Sequence, residues 1–326
     1  MIISKTPYRI SFFGGGTDYP HWYKKYEGEV ISATIDKYIY ITARELPNFF
    51  EHNYRIVYSK IEDVKKIEQI SHSVVREVLK QSKITHGLEI HYDGDLPARS
   101  GMGSSSTFVV GLLKLINSLK KKKLSKKNLA EQSIYLEQKK LRETVGSQDQ
   151  IAATYGGFNS IKFLKNNNYK VKSLIKDEKE FKNLSSNFFL IFTGINRTAK
   201  FIADTYVNTL AKKRKSDLDL ILEHVKVAKN LLINKKYNDF GLLLNETWKI
   251  KRSLSNKVSN SKIDKIYLDG LNSGATGGKL LGAGGSGFFL FYVKKSEQIK
   301  FKKKMSKYTL IPFNFTNEGS KIIFNQ

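Results

Sequence analysis

One segment of the chain, residues 97–107, constrains the fold more than any other. It reads Pro-Ala-Arg-Ser-Gly-Met-Gly-Ser-Ser-Ser-Thr and runs directly into the apolar segment Phe108 to Ile116, which predicts a helix. Gly101 and Gly103 carry no Cβ, and the hydroxyl residues after them fall where the first unpaired N–H groups of that helix point outward. The segment therefore predicts a loop that binds a phosphate-bearing ligand, and we call it the phosphate loop. It is not a Walker A loop, because no lysine follows Gly103.

Length and composition set the class of protein. A chain of 326 residues favours two domains, and the polar segment 177–187 is the best boundary, which gives domains 1–180 and 181–326. The absence of cysteine excludes disulfides, thiolate nucleophiles and cysteine-ligated zinc. No apolar run approaches the roughly 20 residues that span a bilayer, and no export signal is visible, so we expect a cytoplasmic protein without a membrane partner.

The net charge of +26 is the one compositional feature that points to nucleic acid, since 56 basic residues face only 30 acidic ones. The lysines are spread along the whole chain, however, in several short clusters. Background composition is therefore favoured over a dedicated nucleic-acid surface. A positive field of this kind would also attract anionic substrates.

Hydrophobic patterning predicts alternating strands and helices. Strands are expected at residues 1–13, 30–45, 55–59, 87–92, 188–193 and 288–293, and helices at 61–82, 108–119, 125–141, 198–210, 216–235, 238–256 and 261–273. On the helix that Ser125 can cap, Glu137 falls on the apolar stripe with Ala130 and Ile134. A carboxylate on that stripe needs either a basic partner or a metal ion, and the pattern alone leaves both open.

Three glycine-rich segments stand out, at residues 14–18, 101–107 and 282–287. Each by itself is typical of a turn or of close packing. Together with Pro7-x-Arg9 and the segment Gly-Ser-Gln-Asp-Gln at 146–150, they make nearly the whole chain resemble the GHMP small-molecule kinases, the superfamily of galactokinase, homoserine kinase, mevalonate kinase and phosphomevalonate kinase. The resemblance implies an α+β fold of two domains. The N-terminal domain would resemble the second domain of ribosomal protein S5, the C-terminal domain would be ferredoxin-like, and ATP and substrate would meet in the cleft.

The same resemblance implies the catalytic and nucleotide-binding residues. Asp149 would be the general base or the carboxylate that orients the attacking hydroxyl, and Arg9 would orient Asp149 or stabilise charge on the transferred phosphoryl group. Ser105 and Glu137 match the family's Mg²⁺ positions, which decides the role of Glu137 in favour of the metal. The residues implied in ATP binding are Pro97, Arg99, Ser100, Gly101, Met102, Gly103, Ser104, Ser105 and Ser106.

Substrate residues follow from the other two glycine segments. Asp18 matches the acid that receives sugar hydroxyls, although Thr17 or Asp18 could instead cap a helix. The residues implied in substrate binding are Gly15, Gly16, Thr17, Asp18, Arg197, Gly284 and Gly285. Arg99 is unusual in a family loop and could bind either a nucleotide phosphate or a phosphate on the substrate.

Within the superfamily, the Gly-Gly-Gly-Thr-Asp and Gly-Ser-Gln-Asp-Gln segments resemble the subgroup that phosphorylates D-glycero-D-manno-heptose 7-phosphate. That subgroup transfers the ATP γ-phosphoryl group to the anomeric hydroxyl and gives the 1,7-bisphosphate, used toward nucleotide-activated heptose and surface glycans. Two alternatives are a kinase of an unphosphorylated sugar such as L-fucose or galactose, and a non-catalytic RNA-binding protein. The presence of Arg9, Ser105, Glu137 and Asp149 together argues against the second. The sugar, its anomer and the oligomeric state, a homodimer included, stay open.

Overall fold

The computed structural model describes residues 1–195 and 214–326, which form two β-sheets with helices packed on them. The strands are β1 (Ile2–Phe13), β2 (Gly28–Glu45), β3 (Tyr54–Val57), β4 (Ile61–Val64), β5 (Leu88–Gly94), β6 (Phe158–Phe163), β7 (Tyr169–Ile175), β8 (Phe188–Phe192), β9 (Ala275–Leu280), β10 (Phe288–Val293), β11 (Thr309–Ile311) and β12 (Lys321–Asn325). The helices of the described residues are α1 (Pro20–Tyr26), α2 (Ser73–Ser82), α3 (Ser104–Leu119), α4 (Lys126–Tyr135), α5 (Gln148–Tyr155), α6 (Glu178–Ser185), α7 (Lys215–Ile233), α8 (Tyr237–Ser253), α9 (Ser261–Asn272) and α10 (Gln298–Met305).

The first sheet is organised around the long strand β2. One side of β2 pairs antiparallel with β1, and the other side pairs first with β6 and then with β5. The strand order is β12-β1-β2-β5-β3-β4, and within it β3 and β5 pair in parallel. Because one strand of 18 residues links both halves of the sheet, the glycine loop after β1 and the phosphate loop after β5 are held by the same scaffold.

The second sheet has the strand order β11-β8-β10-β9, and all of its pairings are antiparallel. Helices α7, α8 and α9 connect β8 to β9, and α10 connects β10 to β11. This order of elements, βαββαβ, is the ferredoxin-like arrangement. The predicted α+β class, with a ferredoxin-like arrangement in the C-terminal half, is therefore confirmed.

Two predicted helices differ from the structure. The segment 61–82 was expected to be one helix, but residues 61–64 form strand β4 against β3, a 3₁₀ turn follows, and only 73–82 are helical. The prediction was wrong there because residues 61–64 pair with β3, and Ile61, the first residue of the supposed apolar stripe, is exposed on that edge strand. The helix expected at 125–141 is regular only to Tyr135 and continues as a π-helical turn over Leu136–Lys140. The helix predicted at 198–210 lies outside the described residues.

The hydrophobic core has two clusters, and each contains residues of both sheets. The Phe12 ring of β1 stacks 5.1 Å from Phe158 of β6 and packs 5.6 Å from Phe240 of α8, measured between ring centroids. Each fully buried ring of this kind stabilises the fold by roughly 1.5–3 kcal/mol relative to an exposed one. Strand β12 also returns from the C-terminal half to pair with β1. The division into residues 1–180 and 181–326 stays a prediction, and its boundary falls within α6.

In the described part of the chain, none of the helices combines the length and the apolar character needed to cross a membrane.

Candidate active site

A cavity of about 170 Å³ lies where the phosphate loop, the end of β1, the start of α5 and the loop of residues 282–287 converge. We call the last of these the second glycine loop. Among the residues that the structure describes, six charged side chains line the cavity, namely Arg9, Asp18, Arg99, Asp149, Lys251 and Lys279. Since it joins all three predicted glycine segments and the predicted catalytic pair, this cavity is the candidate active site.

The phosphate loop presents the amino-terminal end of α3 to the cavity. Gly103 precedes the helix with a φ of 77°, a left-handed conformation that favours glycine. The first N–H group to enter the helical ladder is that of Thr107, which donates to the Gly103 carbonyl. The amides of residues 104–106 therefore lie at the positive end of the helix dipole, where an anion is stabilised.

The phosphate loop and the second glycine loop approach each other closely through their backbones. A Cβ added at Gly101 would lie 2.9 Å from the Leu281 carbonyl oxygen, and one at Gly287 would lie 2.0 Å from the Ser100 carbonyl oxygen. Both positions also have positive φ angles. Glycine is therefore required here for two segments to approach each other, and the loops form one rigid wall of the cavity.

Arg9 and Asp149 form a bidentate ion pair in the cavity. The Arg9 guanidinium donates from Nε to Oδ1 of Asp149 at 2.7 Å and from NH2 to Oδ2 at 2.6 Å, and its NH1 donates to the Gly101 carbonyl at 2.8 Å. Arg9 is buried, whereas the Asp149 side chain keeps 22% of its surface exposed toward the cavity. This two-point contact, which we call the Arg9–Asp149 fork, fixes the plane of the Asp149 carboxylate. Each oxygen of that carboxylate retains a second lone pair that can accept a proton.

Asp18 is a second, buried carboxylate on the wall of the cavity. Its Oδ1 accepts from the Gly16 amide at 3.0 Å and its Oδ2 accepts from Nε2 of Gln148 at 3.0 Å. Burial, with a contribution from the nearby Asp149 charge, raises the pKa of Asp18 to about 6. A carboxylate held this way can accept hydrogen bonds from a ligand hydroxyl without rotating.

Glu137 lies on the π-helical turn and is completely buried. Its Oε2 accepts from Nε2 of Gln150 at 2.5 Å, whereas Oε1 has no hydrogen-bond partner within residues 1–195 and 214–326. Burial raises the pKa of Glu137 to about 8. An unpaired buried carboxylate oxygen is costly by itself, and a cation bound beside it would remove that cost.

Two lysines that were not predicted from the sequence, Lys251 and Lys279, also line the cavity. Lys279 is buried, and its Nζ donates to the carbonyls of Ser11 and Phe12, at 3.1 and 2.6 Å. Lys251 Nζ donates to the carbonyls of Leu280 and Gly282, at 2.8 and 2.5 Å. Burial, reinforced by the Arg9 charge, lowers the pKa of Lys279 to about 7, and burial next to Lys279 lowers the pKa of Lys251 as well.

The predicted site residues divide into those that line the cavity and those behind its walls. Lining residues are Arg9, Gly15, Gly16, Asp18, Arg99, Gly101, Gly103, Ser104, Ser105 and Asp149. The others do not line it, and these are Pro97, Ser100, Met102, Ser106, Thr17, Glu137, Gly284 and Gly285. Arg197 lies outside the described residues. The individual roles of all these residues stay predictions.

Three of the residues behind the walls have identifiable contacts. The Thr17 hydroxyl donates to the Gly14 carbonyl at 2.7 Å, and α1 begins at Pro20 after Tyr19, so neither Thr17 nor Asp18 caps that helix. Gly285 donates its N–H to the Val258 carbonyl at 2.8 Å, and Gly284 packs against the same residue. These residues shape the loops of the site.

The cavity brings together the parts that phosphoryl transfer requires. The amides at the start of α3 suit a polyphosphate, and the Arg9 guanidinium supplies positive charge beside it. Asp149 offers an oriented carboxylate a short distance away, and Asp18 offers a buried acceptor for hydroxyl groups. Little covalent chemistry is left for the protein in such a reaction.

Comparison with known proteins agrees with this geometry. Residues 68–157 match the family model of the GHMP kinases N terminal domain. The chain is 30% identical to D-glycero-alpha-D-manno-heptose 7-phosphate kinase of Campylobacter jejuni over 98% of both chains, and 23% identical to a galactokinase of Pyrococcus furiosus over 91% of this chain and 90% of the relative. Its fold superposes on the crystal structure of a D-glycero-D-manno-heptose 1-phosphate kinase from Bacteroides thetaiotaomicron with a TM-score of 0.82, 24% identity and complete coverage of both chains. The chain therefore belongs to the GHMP kinase family.

Proposed function

We propose that this phosphotransferase uses the candidate active site to transfer the γ-phosphoryl group of ATP to a hydroxyl group of a sugar phosphate. The observation that carries the proposal is the Arg9–Asp149 fork, which faces the amino-terminal end of α3 across a single cavity. The GHMP kinases to which the chain belongs use ATP as phosphoryl donor. The net charge of +26 is consistent with two anionic ligands that must enter the same cleft.

In the proposed step the sugar oxygen attacks the γ-phosphorus and forms a new P–O bond. The bond between that phosphorus and the β,γ-bridging oxygen breaks, and ADP leaves with the bond electrons. Asp149 accepts the hydroxyl proton and passes it to solvent, while Arg9 holds the Asp149 carboxylate in place and offsets the charge that builds up on the phosphoryl oxygens.

The residues around the phosphate loop fit a Mg²⁺ ion. The unpaired Oε1 of Glu137 is a hard oxygen ligand in a dry setting, and the exposed Ser105 hydroxyl lies at the start of α3. Mg²⁺ prefers one or two protein oxygens together with phosphate oxygens and water, and it neutralises phosphate charge during transfer. We propose Ser105 and Glu137 as its protein ligands.

The proposed substrate is D-glycero-D-manno-heptose 7-phosphate, phosphorylated on its anomeric hydroxyl to the 1,7-bisphosphate. The relative in C. jejuni is named for the 7-phosphate and the structural neighbour for a 1-phosphate, so both names join a heptose to a phosphate. Asp18, with its two fixed hydrogen bonds, suits recognition of ring hydroxyls. The second candidate is a kinase of an unphosphorylated sugar, favoured by the likeness to galactokinase.

The experiment combines a substrate panel with an Asp149→Asn variant. ADP release is measured with the heptose 7-phosphate, the same heptose without phosphate, L-fucose and galactose, and ³¹P NMR locates the new phosphate. Asp149→Asn should lower kcat by about 10²–10⁴-fold with ATP binding retained. The control is Asp239→Asn, the same chemical change at an exposed aspartate of α8. Near-normal turnover by Asp149→Asn would reject the proposed base, and preference for a neutral sugar would reject the heptose phosphate.

A further inference from the structure

A second cavity of about 270 Å³ opens beside the candidate active site. Its walls come from the start of α1, from the π-helical turn and from the segment that leads to α5. It shares Tyr19, Thr144 and Val145 with the active-site cavity, so the two cavities adjoin at these residues, beside Asp18, and we call this place the junction. Its volume far exceeds the roughly 15 Å³ that a single water needs. We call it the side cavity.

The side cavity is lined by basic side chains from two separate elements. Lys24 and His21 project from α1, and Lys139 projects from the π-helical turn. Across the described ranges, neither lysine has a carboxylate within ion-pair distance. One acidic residue, Glu143, also lines the cavity and has an interaction of its own. Two lysines against one glutamate give the described lining of the cavity a net positive charge.

The lysines of the active-site cavity are less suited to a second anion. Lys279 and Lys251 each direct two of their three ammonium N–H groups to backbone carbonyls of neighbouring strands and loops. Their amines are therefore committed to holding β9 and the second glycine loop in place. Lys24 and Lys139 are exposed, and neither donates a hydrogen bond to a residue within 1–195 or 214–326.

The position of the side cavity matches the far end of a long sugar. A substrate whose reacting hydroxyl meets Asp149 and whose ring hydroxyls meet Asp18 extends past Asp18, away from the phosphate loop. The junction at Tyr19, Thr144 and Val145 comes next in that direction, and the side cavity lies beyond it. An anionic group on the substrate tail would reach the basic residues there.

We propose that the side cavity binds the phosphate group that the sugar substrate already carries, with Lys24 and Lys139 as its charged donors. The inference rests on the proposed function, because it requires a phosphorylated sugar as acceptor. It assigns specificity for a sugar phosphate over a neutral sugar to α1 and the π-helical turn, outside the motifs that bind ATP.

The test is a double variant, Lys24→Gln with Lys139→Gln, and a matched control, Lys25→Gln with Lys140→Gln. The control residues are sequence neighbours, equally exposed and equal in charge, but they lie over the rings of Tyr26 and Tyr135 rather than in the cavity. Values of kcat/KM are measured for the heptose 7-phosphate and for the same heptose without phosphate, at a fixed saturating ATP concentration.

The double variant should lower the preference for the phosphorylated over the unphosphorylated sugar by about tenfold, which corresponds to the loss of two exposed ion pairs. The KM for ATP should stay constant and the control should keep the wild-type preference. An equal effect on both sugars, or an equal effect of the control, would overturn the assignment of the cavity. A wild-type enzyme that prefers the neutral sugar would overturn the proposed substrate as well, and that result is visible before any variant is made.

Discussion

Replacing Asp18 by asparagine should stabilise the protein while it damages the proposed sugar site. Asp18 is 1% exposed, and its pKa is raised to about 6 from an ordinary value of 3.8. At about 1.4 kcal/mol per pKa unit, keeping this carboxylate ionised in the fold costs about 3 kcal/mol. Asparagine has nearly the same shape and carries no charge, so the variant avoids that cost.

The hydrogen bonds around Asp18 can adapt to the amide of the Asp18→Asn variant. The amide oxygen could still accept from the Gly16 backbone N–H, but the new NH₂ group would face Nε2 of Gln148, which is also a donor. Rotating the Gln148 amide by half a turn solves this. It brings Oε1 of Gln148, which has no partner among the described residues, opposite the new donor. The substitution therefore leaves no additional buried group unpaired.

The sign of the pH dependence follows from proton binding. Between pH 3.8 and 6 the folded state keeps a proton on Asp18 that the unfolded state has released, so wild-type stability falls as the pH rises through this window. The stability of the variant lacks this dependence. The difference in unfolding free energy, variant minus wild type, should grow from about 1.5 kcal/mol at pH 5 to about 3 kcal/mol at pH 8.

The assay is urea unfolding at pH 5, 6, 7 and 8, followed by tryptophan fluorescence and extrapolated linearly to water. Comparing two proteins at each pH removes the contributions of all other titrating groups that Asp18 does not influence. In parallel, kcat/KM for the sugar should fall by about tenfold to a hundredfold as the charged acceptor is lost, with KM for ATP unchanged. A difference that does not vary with pH, or a variant that is less stable than wild type at pH 8, would refute the reasoning.

Two further predictions concern the metal and the geometry of the cavity. Glu137→Gln should raise the Mg²⁺ concentration that gives half-maximal activity by about tenfold or more, as measured by Mg²⁺ titration. The control Glu131→Gln, on the exposed face of α4, should leave that concentration unchanged. Identical titrations for wild type and Glu137→Gln would exclude Glu137 as a ligand. Gly146→Ala places a Cβ 1.8 Å from Oδ2 of Asp18 and must displace that carboxylate. KM for the sugar should therefore rise roughly tenfold, while KM for ATP is unchanged. An unaltered KM for the sugar would contradict the role of Asp18.

Sequence reasoning performed best where a local pattern has one physical solution. The phosphate loop was predicted from two glycines, a run of hydroxyl residues and a following apolar helix, and α3 begins at Ser104 as that pattern requires. Glu137 was recognised as an acid on an inward stripe, and it is completely buried. Both predictions depend on the period of the helix, which is a property of neighbouring residues.

Errors arose where the pattern allowed two structures. Residues 61–64 have spacing that fits a helix, yet they pair with β3 as an edge strand. The π-helical turn at 136–140 was not predicted for a related reason, since its side chains also continue a helical pattern. In both places tertiary pairing and packing outweighed local preference.

By itself, then, the sequence determined the glycine loops, the apolar periodicity and the motif order from which family membership followed, because these are properties of short segments. Only the tertiary structure decided the geometry in which the charges of the site meet. Arg9 and Asp149 are 140 residues apart in the chain and form a two-point ion pair, and Lys279 reaches backbone carbonyls 267 and 268 residues away. Such contacts depend on the register of β1 and on how the two sheets pack, and no local pattern encodes either of them. The electrostatics of the site, and the basic side cavity beside it, are therefore products of the fold.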